Sequence, residues 1–406
     1  MRIAYLYQYF NTPSMPGGSR AFEAATRLAA RGHEVHVVTS IRESAAGRGW
    51  YVTDEQGVQV HWYPVPYTND MNLLARMRAF AAFAVRAVPR AISLAPDLVF
   101  ATSTPLTIAI PGIAASRWHG VPLVFEVRDL WPAVPIAMGA LRNPLSRGAA
   151  LALEWLAYHA SARVIALSPG MAEGVVRRGY PPERVTVIPN GCDLERFDPS
   201  PAAAAAFRAA HPELGDGPIV LYAGTLGKAN GVDYLARLAA ATRERHPDAR
   251  FVVIGHGAEE ATVRALAAEL GVLDREFFMY PRMPKQDIAA AFAAASLVIS
   301  VFIDLPELEV NSANKFFDGL AAARPVAVNH GGWQADLLAS HGAGLRLPRD
   351  VAQAADALAA WMGDPTRLQA AGRAARRLAE ERFARHLLAD QLEGVLHETH
   401  ASRRRA

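Results

Sequence analysis

Residues 1–40 read MRIAYLYQYF NTPSMPGGSR AFEAATRLAA RGHEVHVVTS, and their punctuation decides the fold. A short apolar run, 2–6, leads into a loop that carries Gly17-Gly18. An Ala/Leu-rich stretch follows at 21–31, with Ser19 placed to cap it and Gly32 placed to end it. Gly32-His33 then passes directly into a second apolar run, 34–39. Strand, helix and strand with so little chain between them form the repeating unit of a parallel sheet.

The same alternation continues along the chain. It places further strands at 97–101, 123–127, 163–167 and 185–188, and in the second half at 219–223, 250–254, 277–280, 297–301, 326–328 and 344–347. Continuous apolar strands separated by helices imply a sheet covered on both faces. A length of 406 residues suits two such domains rather than one. Between the halves, 198–218 combines Pro199, Pro201, a five-alanine run and Gly215-Asp216-Gly217, the composition of a linker. The expected organisation is therefore α/β: a doubly wound domain at 1–200, a linker at 201–217, a second doubly wound domain at 218–385, and a C-terminal helix at 386–406 that crosses back to the first domain and ends in a frayed basic tail. Ligands of such sheets bind beyond the carboxyl ends of the strands, and two such domains facing each other would leave a cleft.

Composition removes several function classes. Apolar residues are 51% and charged residues 20%, so the chain is not disordered. The charge balance of +3 lacks the strong basic excess of a nucleic-acid protein. One cysteine, Cys192, allows neither an internal disulfide nor a cysteine zinc site, and fits a reducing compartment. The N-terminus is not patterned as a signal peptide, and no run of about 20 apolar residues occurs, so a cytoplasmic location is expected. The stretch 73–92 mixes Leu, Met, Phe, Ala and Val with Arg76, Arg78, Arg86 and Arg90. It reads either as a basic amphipathic helix on an anionic membrane face or as a domain helix with arginines on its wet side.

Five segments bear on chemistry. The backbone of Gly17-Gly18 and the charge of Arg20 suit an anion at a helix start. Gly224-Thr225-Leu226-Gly227-Lys228-Ala229-Asn230-Gly231 follows the strand at 219–223 and offers glycines, a hydroxyl and a lysine to a diphosphate. Gly255-His256-Gly257 lacks the third glycine of a dinucleotide fingerprint. In 311–333, a helix starting near Asn314 carries Asp318 one turn in, beside Lys315; an acid there can bind vicinal ribose hydroxyls while the helix start faces phosphate. In the first half, Glu126-Val127-Arg128-Asp129-Leu130-Trp131-Pro132 puts charges at a strand's carboxyl end.

Taken together, Gly17-Gly18 to Gly32-His33-Glu34-Val35, Arg128-Asp129-Leu130-Trp131-Pro132, Ile188-Pro189-Asn190-Gly191-Cys192-Asp193 with Phe197, Gly224 to Gly231, and Asn314-Lys315-Phe316-Phe317-Asp318 through Arg324-Pro325-Val326 resemble the family 4 retaining glycosyltransferases, over nearly the whole chain. The Arg-Asp-Leu-Trp-Pro and Asn-Lys-Phe-Phe-Asp pieces look most like the bacterial surface-polysaccharide branch, which includes N-acetylfucosamine transferases. The resemblance implies the GT-B fold of two Rossmann-like domains, an acceptor-side one followed by one that binds the nucleotide-sugar. It implies metal-independent, retaining transfer of a hexosyl or N-acetylhexosaminyl group from a donor, expected to be UDP-linked. It needs no cofactor, since the nucleotide-sugar is a substrate. The acceptor would be a saccharide or a polyprenyl-diphosphate-linked glycan, with no nucleic-acid partner and with peripheral contact to the inner membrane face through 73–92.

Residue roles carry over unevenly. Asp318 matches the second, ribose-binding glutamate of the family's Glu-x7-Glu pattern. The first would fall at 310, which is Val; Glu309 is its neighbour. Thr225 and Asn230 stand where the family places its cationic diphosphate pair, so Lys228 and Arg282 are expected to supply the charge. The expected site is Asp129, Arg128 and Lys228 for catalysis, and Gly17, Gly18, Arg20, Gly224, Thr225, Arg282, Glu309, Asn314, Lys315 and Asp318 for the donor, with no metal ligands. Two other readings stay open on the residues alone: a nucleotide-sugar-binding protein without turnover, and an NAD-dependent oxidoreductase, which would need a complete glycine fingerprint.

Overall fold

Apolar runs too short for helices pair into sheets. A computed structural model of the chain describes every residue except 16–19, 43–48, 69–70, 72 and 404–406. In the first half the strands are β1 (Arg2–Leu6), β2 (Glu34–Ile41), β3 (Tyr51–Glu55), β4 (Val58–Pro64), β5 (Leu98–Thr102), β6 (Leu123–Val127), β7 (Arg163–Ala166) and β8 (Val185–Val187). They form one eight-stranded sheet in the order β3-β4-β2-β1-β5-β6-β7-β8. All described neighbours run parallel except β3 and β4, an antiparallel hairpin closed at Gln56-Gly57. The helices are α1 (Arg20–Ala30), α2 (Leu73–Ser93), α3 (Ala109–His119), α4 (Ala133–Ala137), α5 (Pro144–His159) and α6 (Pro169–Arg177).

The second half has β9 (Ile219–Ala223), β10 (Arg250–Ile254), β11 (Phe277–Tyr280), β12 (Leu297–Ser300), β13 (Val326–Val328) and β14 (Gly344–Arg346) in the order β11-β10-β9-β12-β13-β14. Its helices are α7 (Pro201–Ala210), α8 (Asp233–Thr242), α9 (Glu260–Glu269), α10 (Lys285–Ala294), α11 (Asn314–Ala321), α12 (Trp333–His341), α13 (Val351–Met362) and α14 (Pro365–Leu378), before α15 (Arg385–Arg403). In each sheet the winding reverses beside the first strand: β1 lies between β2 and β5, and β9 between β10 and β12. Such reversals open a crevice at the carboxyl ends of the strands. The fold is the GT-B arrangement of two Rossmann-like α/β domains.

The domain limits differ from those read in the sequence. One unit comprises Met1–Pro189 with His386–Ala406, the other Asn190–Arg385. Residues 190–200 therefore belong to the second unit, not the first. Phe197 packs its ring 5.1 Å from Phe292 at a T-shaped angle. The stretch 201–217 is not a linker either. Ser200 caps α7 by accepting from the Ala203 amide, and Phe207 is buried in the same core as Ile219 and Phe292. Of the alanines that look like spacer, Ala204 packs against that core, and α7 lies against α10. The end of the chain returns to the first unit: Leu388, Leu392 and Leu396 enter its core with Ile3 and Val35. Arg31 pairs there with Asp390 and Glu393, and Glu393 also lies 3.0 Å from His33 and 3.6 Å from His397.

Phe207→Ala should destabilise the second unit by about 3 kcal/mol, the usual cost of emptying a buried aromatic site. A solvated linker position would change stability by less than about 0.5 kcal/mol. Thermal unfolding of the two proteins distinguishes these outcomes.

Candidate functional site

In the second unit, the switch point between β9 and β12 is closed by the Gly224 turn. The Gly224 amide donates to the Ile254 carbonyl at 2.9 Å, and the Leu226 amide to that of His256 at 3.1 Å, so the turn is pinned over the end of β10. Gly224 has no room for a side chain: a Cβ there would come within 2.8 Å of Lys315 Cε. Lys315 enters from the first turn of α11 and is only 8% exposed. Its ammonium lies 4.7 Å from the Tyr222 ring centroid and 5.7 Å from that of Phe302. Among the described residues it makes no hydrogen bond and no ion pair. Burial pulls its pKa down to about 8, partly opposed by the Asp318 carboxylate.

Asp318 lies one turn further along the same helix. Burial pushes its pKa up to about 7; Asp193 pushes the same way, and Arg196 and Lys315 pull against both. Asp193 and Arg196 come from the segment that the sequence reading gave to the first domain. That segment is tied here by Asn190, whose amide donates to Ser312 Oγ at 3.2 Å. Asn314 is exposed and opens α11, and Ala313 before it offers no side-chain cap, so the first amides of the helix have no capping partner from that residue. Glu309 is held by the glycine turn after β13. Its Oε1 accepts from the Gly331 amide at 3.1 Å, and a Cβ on Gly332, at φ 79°, would lie 2.6 Å from the Glu309 carbonyl. Trp333 Nε1 donates to the Asn311 carbonyl at 2.9 Å, fastening the same loop.

The structure thus brings Gly224, Glu309, Asn314, Lys315 and Asp318 together around the ends of β9, β12 and β13. Thr225 and Lys228 lie exposed in the turn itself. Arg282 is exposed after the edge strand β11, two strands from β9. Sequence reasoning missed His330 and Gln334, both fully buried beside the Gly331-Gly332 turn. His330 Nε2 and both amide atoms of Gln334 have no partner. Their signal was the His-Gly-Gly-Trp-Gln run at a strand end.

In the first unit, Gly17 and Gly18 fall outside the described residues. Arg20 is not available as a donor cation. It is paired at 2.9 Å with the buried carboxylate of Glu126 and donates to the Ile188 and Pro189 carbonyls, which fixes the chain after β8. Arg128 donates to Tyr7 Oη at 3.0 Å. Asp129 accepts from Thr104 Oγ1 at 2.9 Å, and burial raises its pKa, opposed by that hydrogen bond and by Arg128. A carboxyl held toward its protonated form at a strand end can exchange a proton with a bound hydroxyl.

The helix α2 contradicts part of the reading of 73–92. Arg76 turns its guanidinium over the Tyr67 ring and Arg90 donates to His61, so neither is on the wet face. The exposed positions are Leu74, Arg78, Ala81, Ala82, Val85, Arg86 and Pro89. Further large apolar side chains stand exposed on α3 and α5, among them Trp118 at 73% and Leu145 at 83%. Among the described residues no helix is long and apolar enough to cross a membrane.

Residues 17–191 match the glycosyl transferase 4-like domain, and residues 204–378 match the glycosyl transferases group 1 profile. A D-inositol 3-phosphate glycosyltransferase of Kineococcus radiotolerans is 28% identical over 404 residues, covering 93% of this chain and 91% of that protein. The putative colanic acid biosynthesis glycosyl transferase WcaI of Escherichia coli is 24% identical over 285 residues, covering 66% of this chain and 69% of that one. Among solved structures, Anabaena Alr3699/HepE in complex with UDP and glucose superposes with a TM-score of 0.73 at 19% identity, over 98% of this chain and 100% of that one. The oxidoreductase and the binding-protein readings give way to these matches.

The chain has three lysines, Lys228, Lys285 and Lys315, so side-chain NMR can follow each. The Lys315 ammonium should titrate near 8, as burial dictates. Asp318→Asn should lower that value further, because the carboxylate favours the charged amine. A Lys315 titration near the ordinary 10.5 would remove it from the buried position described.

Proposed function

We propose, from the premise that this chain is a two-domain glycosyltransferase of GT-B fold, that it transfers a sugar from a UDP-sugar to a lipid-linked glycan of the cell surface, with retention and without a metal. The unpaired Lys315 ammonium beneath the Gly224 turn carries this reading. A buried lysine with no carboxylate in ion-pair contact among the described residues, on a helix whose first amides have no side-chain cap, is arranged for an anion from outside. We assign the diphosphate to Lys315, the Gly224 turn and the start of α11, with exposed Lys228 assisting. Asp318 takes the ribose hydroxyls and Glu309 the transferred sugar. The HepE complex with UDP, and the colanic acid role in the name of WcaI, support the nucleotide and the class of product.

In this reading the C1–O bond loosens toward an oxocarbenium ion as negative charge gathers on the departing phosphate. Lys315 meets that charge in a site already organised for it, so nothing reorganises at the moment of reaction. The acceptor hydroxyl attacks from the face the diphosphate leaves, and no side chain forms a covalent intermediate. On the first unit, Asp129 is assigned to the acceptor hydroxyl, with Thr104 fixing its carboxylate and the Arg128 charge favouring its ionised form. Lys315→Met should lower kcat by ~10²-fold, the scale of one lost preorganised donor. Lys228→Met should cost far less. Turnover of a panel of UDP-, GDP- and dTDP-sugars tests the donor, and equal use of all three would refute the UDP assignment.

The paired titrations set a pH signature. Asp318 accepts hydroxyl hydrogen bonds best when ionised, so ribose binding strengthens as pH rises through about 7. Lys315 holds phosphate only while charged, so that contribution fades as pH rises through about 8. Calorimetry should give a bell-shaped affinity for UDP between these values. Uridine, lacking phosphate, should show only the rising limb. Asp318→Asn should weaken both ligands by ~1–3 kcal/mol and flatten that limb. A UDP profile without the alkaline fall in wild type would detach Lys315 from the phosphates.

Peripheral membrane attachment rests on exposed Leu74, Val85, Ile110, Trp118 and Leu145 of α2, α3 and α5, with Arg78 and Arg86 exposed on α2. Binding to vesicles containing anionic lipid should weaken with salt and with Arg78→Gln plus Arg86→Gln. Trp118→Ser should weaken it at every salt concentration. Vesicle sedimentation that ignores all three changes would remove the attachment.

A further inference from the structure

A cavity of about 680 Å³ lies within the first unit, walled by α2, α5 and the 131–143 segment. That volume is within the range of about 300–1,000 Å³ typical of ligand sites. Its wall is hydrocarbon almost throughout, with Leu74, Met77, Phe80, Leu106, Leu141 and Leu153 as its larger aliphatic and aromatic members. Among the described residues no carboxylate lines it, Arg142 is its one charged lining residue, and Thr107, Asn143 and Ser146 are its other polar ones. Asn143 and Ser146 are spent on the start of α5, which leaves fewer convergent polar groups than a nucleoside or a sugar needs. An apolar cavity of this kind takes hydrocarbon.

Three observations say which hydrocarbon. Residues 71–153 contain eight arginines but only three carboxylates, Asp97, Glu126 and Asp129, in a chain whose whole balance is +3. The cavity thus sits in the most cationic region of the first unit's sequence, which favours an amphiphile with an anionic head. Leu74 on α2 and Leu145 on α5, 60% and 83% exposed, continue the apolar character outward from the same elements. The inner wall is Pro105 and Trp131, chain neighbours of the Thr104 and Asp129 pair.

We propose that this cavity holds the hydrocarbon chain of the phosphate-linked lipid that carries the acceptor, with Arg142 meeting its phosphate. The proposal rests on the reading of the chain as a transferase to a lipid-linked acceptor. It adds the place where the lipid is held and why a chain of that chemistry is selected. Burial of a methylene is worth a roughly fourfold gain in affinity, so chain length becomes a specificity element.

Calorimetry of the full chain with octyl, decyl and dodecyl phosphate, each below its micelle concentration, tests this. Affinity should rise roughly fifteenfold for each added pair of methylenes until the cavity is filled, and inorganic phosphate should not bind there. Ala149→Trp and Ser146→Trp, both at exposed positions of α5 that line the cavity, should abolish the chain-length dependence, with far-UV circular dichroism reporting their fold. Arg142→Gln should weaken all three ligands by one common factor. Dodecyl phosphate should leave UDP affinity unchanged, since the two occupy different units. Affinity independent of chain length, an identical series in both tryptophan variants, or competition between dodecyl phosphate and UDP would each overturn the proposal. Absence of UDP binding alongside a normal chain-length series would instead strike the donor reading and leave the cavity standing.

Discussion

A largely buried ammonium with no carboxylate in ion-pair contact among the described residues is the constraint around which the site of the second unit is built. Lys315 held near 8 rather than 10.5 means that its charged form is disfavoured by about 3 kcal/mol. The fold tolerates that cost through its neighbours. Tyr222 and Phe302 present ring faces to the charge, and Gly224 leaves the space that Lys315 Cε occupies. The Gly224 turn can sit there because β10 pins it, and α11 can aim the lysine because Glu309, Gly331 and Trp333 strap the preceding loop to the end of β13. Each of these restraints lies at the carboxyl end of a parallel strand, where the topology leaves a crevice.

Much of this architecture was legible from strand punctuation. The limits of β1, β6, β9, β10, β11 and β13 coincide with the apolar runs, because strands buried on both faces have no polar interruptions to blur their ends. The β3–β4 hairpin escaped notice for the opposite reason. Its first strand alternates half-buried and exposed residues, and its turn, Gln56-Gly57, is not among the strongest hairpin signals. The domain limit was misplaced because alanine and proline composition marks both a linker and a capped helix. Phe207, the one large apolar residue of α7, was the discriminating signal.

The candidate site was legible as residue types and only partly as geometry. Asp318 and Lys315 were found from their place at a helix start. Lys228 looked like the better phosphate ligand because it shares the glycine turn in sequence. In space the turn's exposed side carries Lys228, and Lys315 approaches from beneath, a relation that depends on the pairing of β9 with β12. Arg20 illustrates the converse: a cation beside a glycine loop in sequence is spent on Glu126, which lies 106 residues away. On α2, counting arginines suggested four on one basic face, yet Tyr67 and His61 draw two of them inward and leave Arg78 and Arg86 outside among Leu74, Ala81, Ala82 and Val85. Partners distant in the chain decide what a charge does, and single-sequence patterns do not contain them.

The central claim is that Lys315 awaits the diphosphate of a nucleotide-sugar. Its side-chain NMR titration, repeated with saturating UDP and with saturating uridine, tests that claim most directly. The account predicts that UDP raises the Lys315 pKa well above its free value near 8, because the adjacent anion stabilises the charged amine, while uridine leaves it in place. A Lys315 titration that is the same with and without UDP would contradict the account.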